Sequence, residues 1–311
     1  MYLAKEQINV CDNLDFFARQ VVDGFLTGLH KSPYHGFSVE FAEHRLYNPG
    51  DSVKNIDWKL FARSDRLFIK KFEDETNLRA HILIDTSSSM LYPVDTNSLK
   101  KSKINKLSFS LYASACLVHL LHRQRDGVGL TLYNDKIDLF TPARSGKGHY
   151  NRLMSELDQL LLKINHKKNK KTNFASIISD FIDKIQKRSL IIIFSDMLNF
   201  DNVGSNNWFE AMQHLKYRKN EVILFHVQDY DTEKKFNFSN YPHEFLDLEN
   251  NDKIQLNPAN YKDIYKNSYN NFEKDLVLKC GQYNIDYVPA FIQDGFSQVL
   301  LSYLTKRSKI F

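Results

Sequence analysis

A carboxylate and two hydroxyls stand at alternate positions directly after an apolar run. The run Ile82–Ile84 indicates a strand that is buried on both faces, and Asp85, Ser87 and Ser89 follow it. Open α/β sheets place their ligand sites at the carboxyl ends of such strands. Oxygen ligands suit Mg²⁺ or Mn²⁺, whereas Zn²⁺ prefers thiolate or imidazole ligands. We therefore predict a divalent-cation site that is built from oxygen atoms only.

A second apolar run, Leu190–Phe194, is followed by Ser195 and the carboxylate of Asp196. The D-x-S-x-S pattern resembles the metal-ion-dependent adhesion site of von Willebrand factor type A domains. This resemblance implies that a Thr and a second Asp from two other loops complete the site. Asp196 matches the second Asp, and Thr172 matches the Thr because it precedes a predicted helix. Two lysines precede Thr172 and Met197 follows Asp196, where the family often has glycine.

A helix-capping role is the alternative for each piece of this pattern. Ser, Thr and Asp residues that follow a strand often cap the next helix, and such a role requires no metal. The second apolar strand that ends in a carboxylate favours the metal site over capping.

Several short motifs precede the first strand in a fixed order. They read R-x-Y-x-P-G-D over Arg45–Asp51, I-D-W over Ile56–Trp58, A-R at Ala62-Arg63 and F-E-x-E over Phe72–Glu75. Together with D-x-S-x-S, this order resembles the bacterial domain-of-unknown-function family number 58. The resemblance covers the whole chain and implies a type A-like domain.

The same upstream stretch carries matched charges. The turn Pro49–Asp51 can cap a helix that carries Ile56, Trp58, Leu60 and Phe61 inward. The charged residues are Arg45, Asp51, Asp57 and Arg63. We predict that they form a structural lock, meaning buried or half-buried ion pairs that fix the N-terminal segment to the sheet. The alternative is a docking or catalytic role for the same residues.

Apolar segments alternate with amphipathic ones from Ala80 onward, which predicts a doubly wound, mostly parallel α/β sheet. The resemblance makes this sheet von Willebrand factor type A-like and Rossmann-like. We assign residues 1–79 to a family-specific N-terminal extension and residues 80–311 to the type A-like domain. Predicted helices are Leu14–Leu26, Ile104–Arg123, Asn151–Ile164, Phe174–Ile185, Trp208–Leu215, Ala259–Lys279 and Gln298–Lys306. Further predicted strands are Val128–Tyr133, Ile137–Phe140, Glu221–Val227, Phe245–Leu248, Lys253–Leu256 and Asp286–Phe291.

Composition limits the location and the partners that we expect. The 311 residues carry a net charge of +5. The three cysteines are scattered along the sequence, which is typical of a protein in a reduced compartment. No stretch has the roughly 20 apolar residues of a membrane span, and the N-terminus lacks a signal-peptide core, so we expect a cytoplasmic protein. The basic run 166–171 lacks interleaved aromatic residues, so we expect that the protein does not bind nucleic acid. This run indicates a solvated loop or, alternatively, a site that attracts an acidic partner.

Enzymatic motifs are missing from the sequence. There is no phosphate-binding G-x-x-x-x-G-K-[ST] loop, no G-x-G-x-x-G and no G-x-S-x-G. A haloacid-dehalogenase-like phosphatase would need an Asp where Ser87 stands. We therefore expect a non-enzymatic, metal-dependent protein-interaction or adaptor module, in which a carboxylate of another protein completes the metal site. The family resemblance implies a MoxR-type AAA+ ATPase as the partner, and the alternative function is a Mg-dependent hydrolase of the phosphatase type.

Overall fold

The computed structural model describes residues 13–29, 44–46, 58–64, 66–70, 78–94, 104–164, 174–198, 205–250 and 252–310. Within these ranges the helices are α1 (Leu14–Leu29), α2 (Trp58–Ser64), α3 (Lys106–Arg123), α4 (Lys147–Lys163), α5 (Phe174–Lys184), α6 (Ser205–Tyr217), α7 (Pro258–Gln282) and α8 (Ser297–Ile310). The strands are β1 (His44–Leu46), β2 (Phe68–Lys70), β3 (Arg79–Asp85), β4 (Gly127–Tyr133), β5 (Ile137–Phe140), β6 (Leu190–Ser195), β7 (Glu221–Gln228), β8 (His243–Leu246), β9 (Lys253–Leu256) and β10 (Asp286–Phe291). A 3₁₀ turn covers Ser88–Leu91 and a π-helical turn covers Tyr230–Lys234.

A six-stranded sheet in the order β10-β7-β6-β3-β4-β5 forms the centre of the described structure. Its neighbouring strands are parallel except that β5 runs antiparallel to β4. This arrangement confirms the predicted α/β class with a mostly parallel sheet. From β3 the chain proceeds to β4 on one side, whereas β6 lies on the other side. The carboxyl ends of β3 and β6 therefore border a topological switch point, where open α/β sheets bind ligands.

Strands β3, β4, β6 and β7 are almost completely buried, which explains their continuous runs of Val, Ile and Leu. One face of the sheet packs on helices α5, α6 and α7 through a cluster that includes Leu83, Phe181, Ile193, Met212 and Leu276. Helix α3 packs on β3 and β4. These layers hold the strand ends in fixed positions.

The chain divides into two compact units. One unit contains the residues up to Thr27 and those from Leu78 onward, and the other contains Gly28–Asn77. The division places most of α1 with the sheet, where Leu14, Phe17, Val21 and Val22 are buried as the predicted amphipathic helix requires.

The smaller unit contains β1, which pairs antiparallel with β2, and the short helix α2. The Trp58 side chain is 61% exposed, so the predicted inward orientation of Trp58 is wrong. The physical reason lies in the helical period, because residues two positions apart on a helix do not share a face. Trp58 and Leu60 therefore cannot both point inward, and Leu60 is the more buried of the two.

Within the described ranges, no helix combines the length and the apolar composition that a membrane crossing requires.

Candidate functional site

The register of the parallel strands brings polar side chains to one edge of the sheet. Asp85 on β3 lies opposite Tyr133 on β4, and Ser195 on β6 lies opposite His226 on β7. Ile84 pairs with Phe194, so the residues that follow them, Asp85 and Ser195, are neighbours across β3 and β6. The strands have apolar interiors, and their polar residues begin at the same position in the strand register. The polar residues of neighbouring strands therefore lie side by side at this edge.

The carboxylate of Asp85 is held from two directions. Its Oδ1 accepts a hydrogen bond of 2.9 Å from the backbone N–H of Ser87, and its Oδ2 accepts one of 2.9 Å from the Ser195 hydroxyl. Only 2% of Asp85 is exposed. The carboxylate therefore has a fixed orientation at the switch point.

The hydroxyls of Ser87 and Ser89 lie side by side. Their Oγ atoms are joined by a hydrogen bond of 3.0 Å, and both residues are buried. Ser87 precedes the 3₁₀ turn in an extended conformation, and its side chain makes no capping hydrogen bond to that turn. The capping alternative therefore does not describe Ser87.

The spacing of these hydroxyls fits a divalent cation. An octahedral Mg²⁺ with ligands at 2.0–2.1 Å places neighbouring ligand oxygens about 2.9 Å apart. The Ser87 and Ser89 oxygens match this separation beside an oriented carboxylate. In the described part of the chain, no group of three or more His, Cys, Asp or Glu side chains could hold a metal ion. A cation here would therefore depend on the hydroxyls.

Asp196 is paired with a buried lysine. Lys106 is the first residue of α3, and its side chain has no exposed surface. Its Nζ donates a hydrogen bond of 2.7 Å to Asp196 Oδ2 and one of 2.6 Å to Glu233 Oε1. Glu233 lies in the π-helical turn, and its Oε2 accepts from the backbone N–H of Asp229. The other oxygen of Asp196 accepts a long hydrogen bond of 3.3 Å from the N–H of Leu198.

Burial and like charges raise the energy of the ionised carboxylates. Burial raises the pKa of Asp85 to about 7, and the charge of Asp196 contributes to this rise. Burial alone would lower the pKa of Lys106, but the charges of Asp196 and Glu233 reverse the effect and raise it. The three carboxylates and one ammonium of this cluster make an added cation electrostatically favourable.

His226 supports the loop that carries Asp196. Its Nε2 donates to the carbonyl oxygen of Asp196 at 3.0 Å, because a carbonyl can only accept. Burial lowers the pKa of His226 to about 4, so the ring is neutral near pH 7. Its Nδ1 therefore accepts hydrogen bonds, including one from the Tyr287 hydroxyl at 2.8 Å.

Four of the predicted metal ligands meet at this edge: Asp85, Ser87, Ser89 and Asp196. The fifth, Thr172, lies outside the described residues, as does the basic run 166–171. For the predicted lock, Asp51 and Asp57 also lie outside the described residues, and only the backbone of Arg45 is described. The side chain of Arg63 is exposed, and the lock stays a prediction.

Sequence reasoning missed Lys106, Glu233, Ser195 and His226. Two of them had a usable signal, because Ser195 and His226 are polar residues at the carboxyl ends of apolar strands. Lys106 and Glu233 had none, since each lies in a segment of mixed polarity.

Residues 43–270 match the model of a family that is described as "Protein of unknown function DUF58". An uncharacterized protein of Mycobacterium bovis is 24% identical over 219 residues, which are 70% of this chain and 63% of that protein. A Mycobacterium tuberculosis protein gives the same figures. Uncharacterized protein YeaD of Bacillus subtilis is 26% identical over 127 residues, which are 40% of this chain and 28% of YeaD. The chain thus spans 63% of the length of its mycobacterial relatives.

Two solved structures from Bacteroides species are similar to the chain. The conserved hypothetical protein BatB from Bacteroides thetaiotaomicron has a TM-score of 0.43 and 13% identity, and the match covers 75% of this chain and 99% of BatB. An aerotolerance-related membrane protein from Bacteroides fragilis has a TM-score of 0.43 and 14% identity, and the match covers 74% of this chain and 99% of that chain.

The predicted cytoplasmic location is wrong. The Bacteroides fragilis structure is described as that of a membrane protein, and a Vibrio fischeri structure with 16% identity and a TM-score of 0.22 is described as membrane spanning. The prediction was drawn mainly from features that the sequence lacks, above all a long apolar segment, and such a lack does not separate a cytoplasmic protein from one that works at a membrane.

Proposed function

The chain belongs to the DUF58 family of proteins of unknown function, and from this premise we propose that it is a protein-binding module that depends on a divalent cation. One observation carries the proposal: the Ser87 and Ser89 hydroxyl oxygens are 3.0 Å apart beside the oriented carboxylate of Asp85. The proposal includes a von Willebrand factor type A-like fold and a MoxR-type AAA+ ATPase as the partner.

The strand order supports the Rossmann-like part of this proposal. When the six strands of the sheet are numbered by their own order along the chain, they lie in the order 3-2-1-4-5-6. Doubly wound nucleotide-binding folds have this order and bind ligands between strands 1 and 4. Asp85 ends strand 1 and Ser195 ends strand 4. The third strand departs from the pattern because it is antiparallel.

The side chains of the site would bind and orient Mg²⁺ or Mn²⁺. The hydroxyls of Ser87 and Ser89 supply neutral oxygens, and Asp85 and Asp196 supply negative charge from adjacent strands. When bound, the cation would offer an open coordination position to a carboxylate of the partner protein. Ser195 holds Asp85 in place, and Lys106 holds Asp196, so little rearrangement is required of the carboxylates.

We predict that millimolar Mg²⁺ or Mn²⁺ stabilises the metal-free protein. At about 100 times the dissociation constant, the free energy of unfolding should rise by roughly 2.7 kcal/mol. Thermal melting should show this increase in the wild type and in Ser88→Ala, which changes a buried neighbour that is not a predicted ligand. Ser87→Ala and Asp85→Ala should lose it. A response of equal size in all four proteins would contradict the site.

Capture of a MoxR-type ATPase by the purified chain tests the partner. Binding should require Mg²⁺ or Mn²⁺, fail in EDTA and in Asp85→Ala, and depend on one Asp or Glu of the ATPase. The contrary result would be Mg-dependent hydrolysis of phosphate esters that Asp85→Ala abolishes, with ATPase capture that survives EDTA. That result would replace the binding function with the hydrolase alternative.

A further inference from the structure

The ammonium of Lys106 forms two salt bridges in a position without exposed surface. Lys106 lies at the first position of α3, where the helix dipole disfavours a cation. Helix geometry therefore does not explain why an ammonium is buried here. Its partners are the carboxylates of Asp196 and Glu233, at 2.7 and 2.6 Å, and the ring of Tyr92, whose centroid is 5.8 Å away.

These contacts connect three elements around one charge. Helix α3 supplies Lys106, the loop that follows β6 supplies Asp196, and the π-helical turn supplies Glu233. π-Helical turns are rare and are frequently found at functional sites. Asp229 fixes this turn because its Oδ1 accepts from the backbone N–H of Thr232 at 2.9 Å. The two carboxylates that flank Lys106 are therefore held in place by the backbone around them.

We propose that Lys106 is an internal cation that sets the affinity of the neighbouring site for divalent ions. This inference rests on the proposed function, because it concerns the same site. When no metal is bound, the ammonium pairs with both Asp196 and Glu233 and offsets one of their two negative charges, which allows the Asp196 carboxylate to be buried. It also removes negative charge that would otherwise attract a metal ion, so the site binds divalent cations more weakly than its carboxylates alone would.

Substitutions of Lys106 and of Glu233 should change the metal affinity in opposite directions. Lys106→Met removes a positive charge and should tighten the binding of Mn²⁺. Glu233→Gln removes a negative charge and leaves Lys106 with Asp196 alone, so it should weaken that binding. A unit charge about 6 Å from a divalent ion changes binding about tenfold even at the dielectric constant of water. We therefore expect changes of at least about tenfold in each direction.

Calorimetric titration with MnCl₂ and thermal melting in EDTA test the proposal. The full chain is compared with Lys106→Met, Glu233→Gln and the double variant Lys106→Met/Glu233→Gln. Lys216→Met is the matched control, because Lys216 is also a salt-bridged lysine but pairs with Glu221 at the start of β7. In EDTA, Lys106→Met should melt at least about 5 °C below the wild type, since a buried ion pair has lost one member.

The double variant should recover part of this loss and return toward the affinity of the wild type, because it removes one charge of each sign. Lys216→Met should keep the affinity of the wild type. If Lys106→Met does not fold in EDTA, MnCl₂ should allow it to refold, whereas NaCl of equal ionic strength should not. Failure to refold in both salts would overturn the proposal, as would unchanged Mn²⁺ affinity in Glu233→Gln.

The outcomes separate this inference from the proposed function. If the wild type binds no Mn²⁺ but Lys106→Met does, the internal cation stands and the proposed metal-dependent function fails. If the wild type binds Mn²⁺ with an affinity that neither Lys106→Met nor Glu233→Gln changes, the function stands and this inference fails. If none of the variants binds Mn²⁺, both are wrong.

Discussion

Ser195 donates a hydrogen bond that helps to orient the carboxylate of Asp85, and both residues are buried. Its oxygen also accepts from the N–H of Met197 at 3.2 Å. We predict that Ser195→Ala lowers the free energy of unfolding by about 1–3 kcal/mol, because a buried carboxylate loses a donor. Urea denaturation at pH 7.5 in EDTA measures the change.

Ser110→Ala is the matched control for this measurement. Ser110 is also buried, but its hydroxyl donates to the carbonyl of Lys106 within the same helix. Loss of that bond leaves no carboxylate without a donor, so the cost should be below about 1 kcal/mol. Equal costs for the two serines would show that the contact with Asp85 has no special weight.

Sequence could predict individual ligands where each one follows an apolar run. Asp85 is the last residue of one buried strand, and Asp196 directly follows another. The alternation of Ser87 and Ser89 is visible in the sequence. Lys106 could not be recognised, because a lysine in the first turn of a helix normally points into solvent. Its partners Asp196 and Glu233 are 90 and 127 residues away, and only the folded chain brings them together.

Within the larger unit, the aromatic ring of Phe17 is one of the groups through which α1 packs on the other elements. The ring of Phe17 packs edge-on against Tyr112 of α3 at 4.7 Å between centroids and against Phe296 at 5.4 Å. We predict that Phe17→Ala destabilises the protein by about 3–5 kcal/mol, because it leaves a cavity between these rings. Phe16→Ala should change stability by less than about 0.5 kcal/mol, since Phe16 is 56% exposed.

Thermal and urea unfolding of both variants would decide this point. A small effect of Phe17→Ala, similar to that of Phe16→Ala, would mean that α1 contributes little to the stability of the unit.

Most elements could be predicted because their periodicity is local. Strands β5, β9 and β10 have the predicted bounds, and α7 extends only a few residues beyond its predicted ends. Helix α4 begins at Lys147 rather than Asn151, because Tyr150 is buried and extends the apolar face by one turn. The π-helical turn had no periodic pattern, and its shape depends on capping contacts from Asp229 and Glu233.

At the scale of the whole molecule, alternation of strands and helices predicts a parallel sheet but not which strands are neighbours. The position of β6 beside β3 depends on burial of both faces and on connections that cross the sheet. This neighbour relation brings Asp85 next to Ser195, so the site is a product of topology. The location of the protein in the cell could not be predicted either, because no local property of the described helices determines it.

The pH dependence of stability is a property of the whole sheet, because two histidines are buried at strand positions within it. His81 in β3 is 3% exposed and packs between the rings of Phe140 and Phe181. Its Nδ1 has no hydrogen-bond partner among the described residues. Burial lowers the pKa of His81 to about 4. The folded protein therefore keeps this ring neutral down to mildly acidic pH.

The sign of the effect follows from the two states. An unfolded histidine has a pKa of about 6.5, so between pH 6.5 and 4 the unfolded chain binds more protons than the folded one. The contribution of His81 to stability is complete above pH 6.5 and declines as the pH falls. At pH 5 the loss relative to pH 7.5 should be about 2 kcal/mol for this residue.

We predict that His81→Leu removes this part of the acid sensitivity. The variant should lose about 2 kcal/mol less than the wild type between pH 7.5 and pH 5, as measured by urea denaturation at both values. Ile82→Leu, at the next position of β3, changes only packing and should keep the acid sensitivity of the wild type, while His226, with a pKa lowered by burial to about 4, still titrates in both proteins. If His81→Leu retained the full acid sensitivity, the His81 ring would have to gain its proton in the folded state near pH 6.5. Its enclosure between Phe140 and Phe181 would then not exclude the charged form.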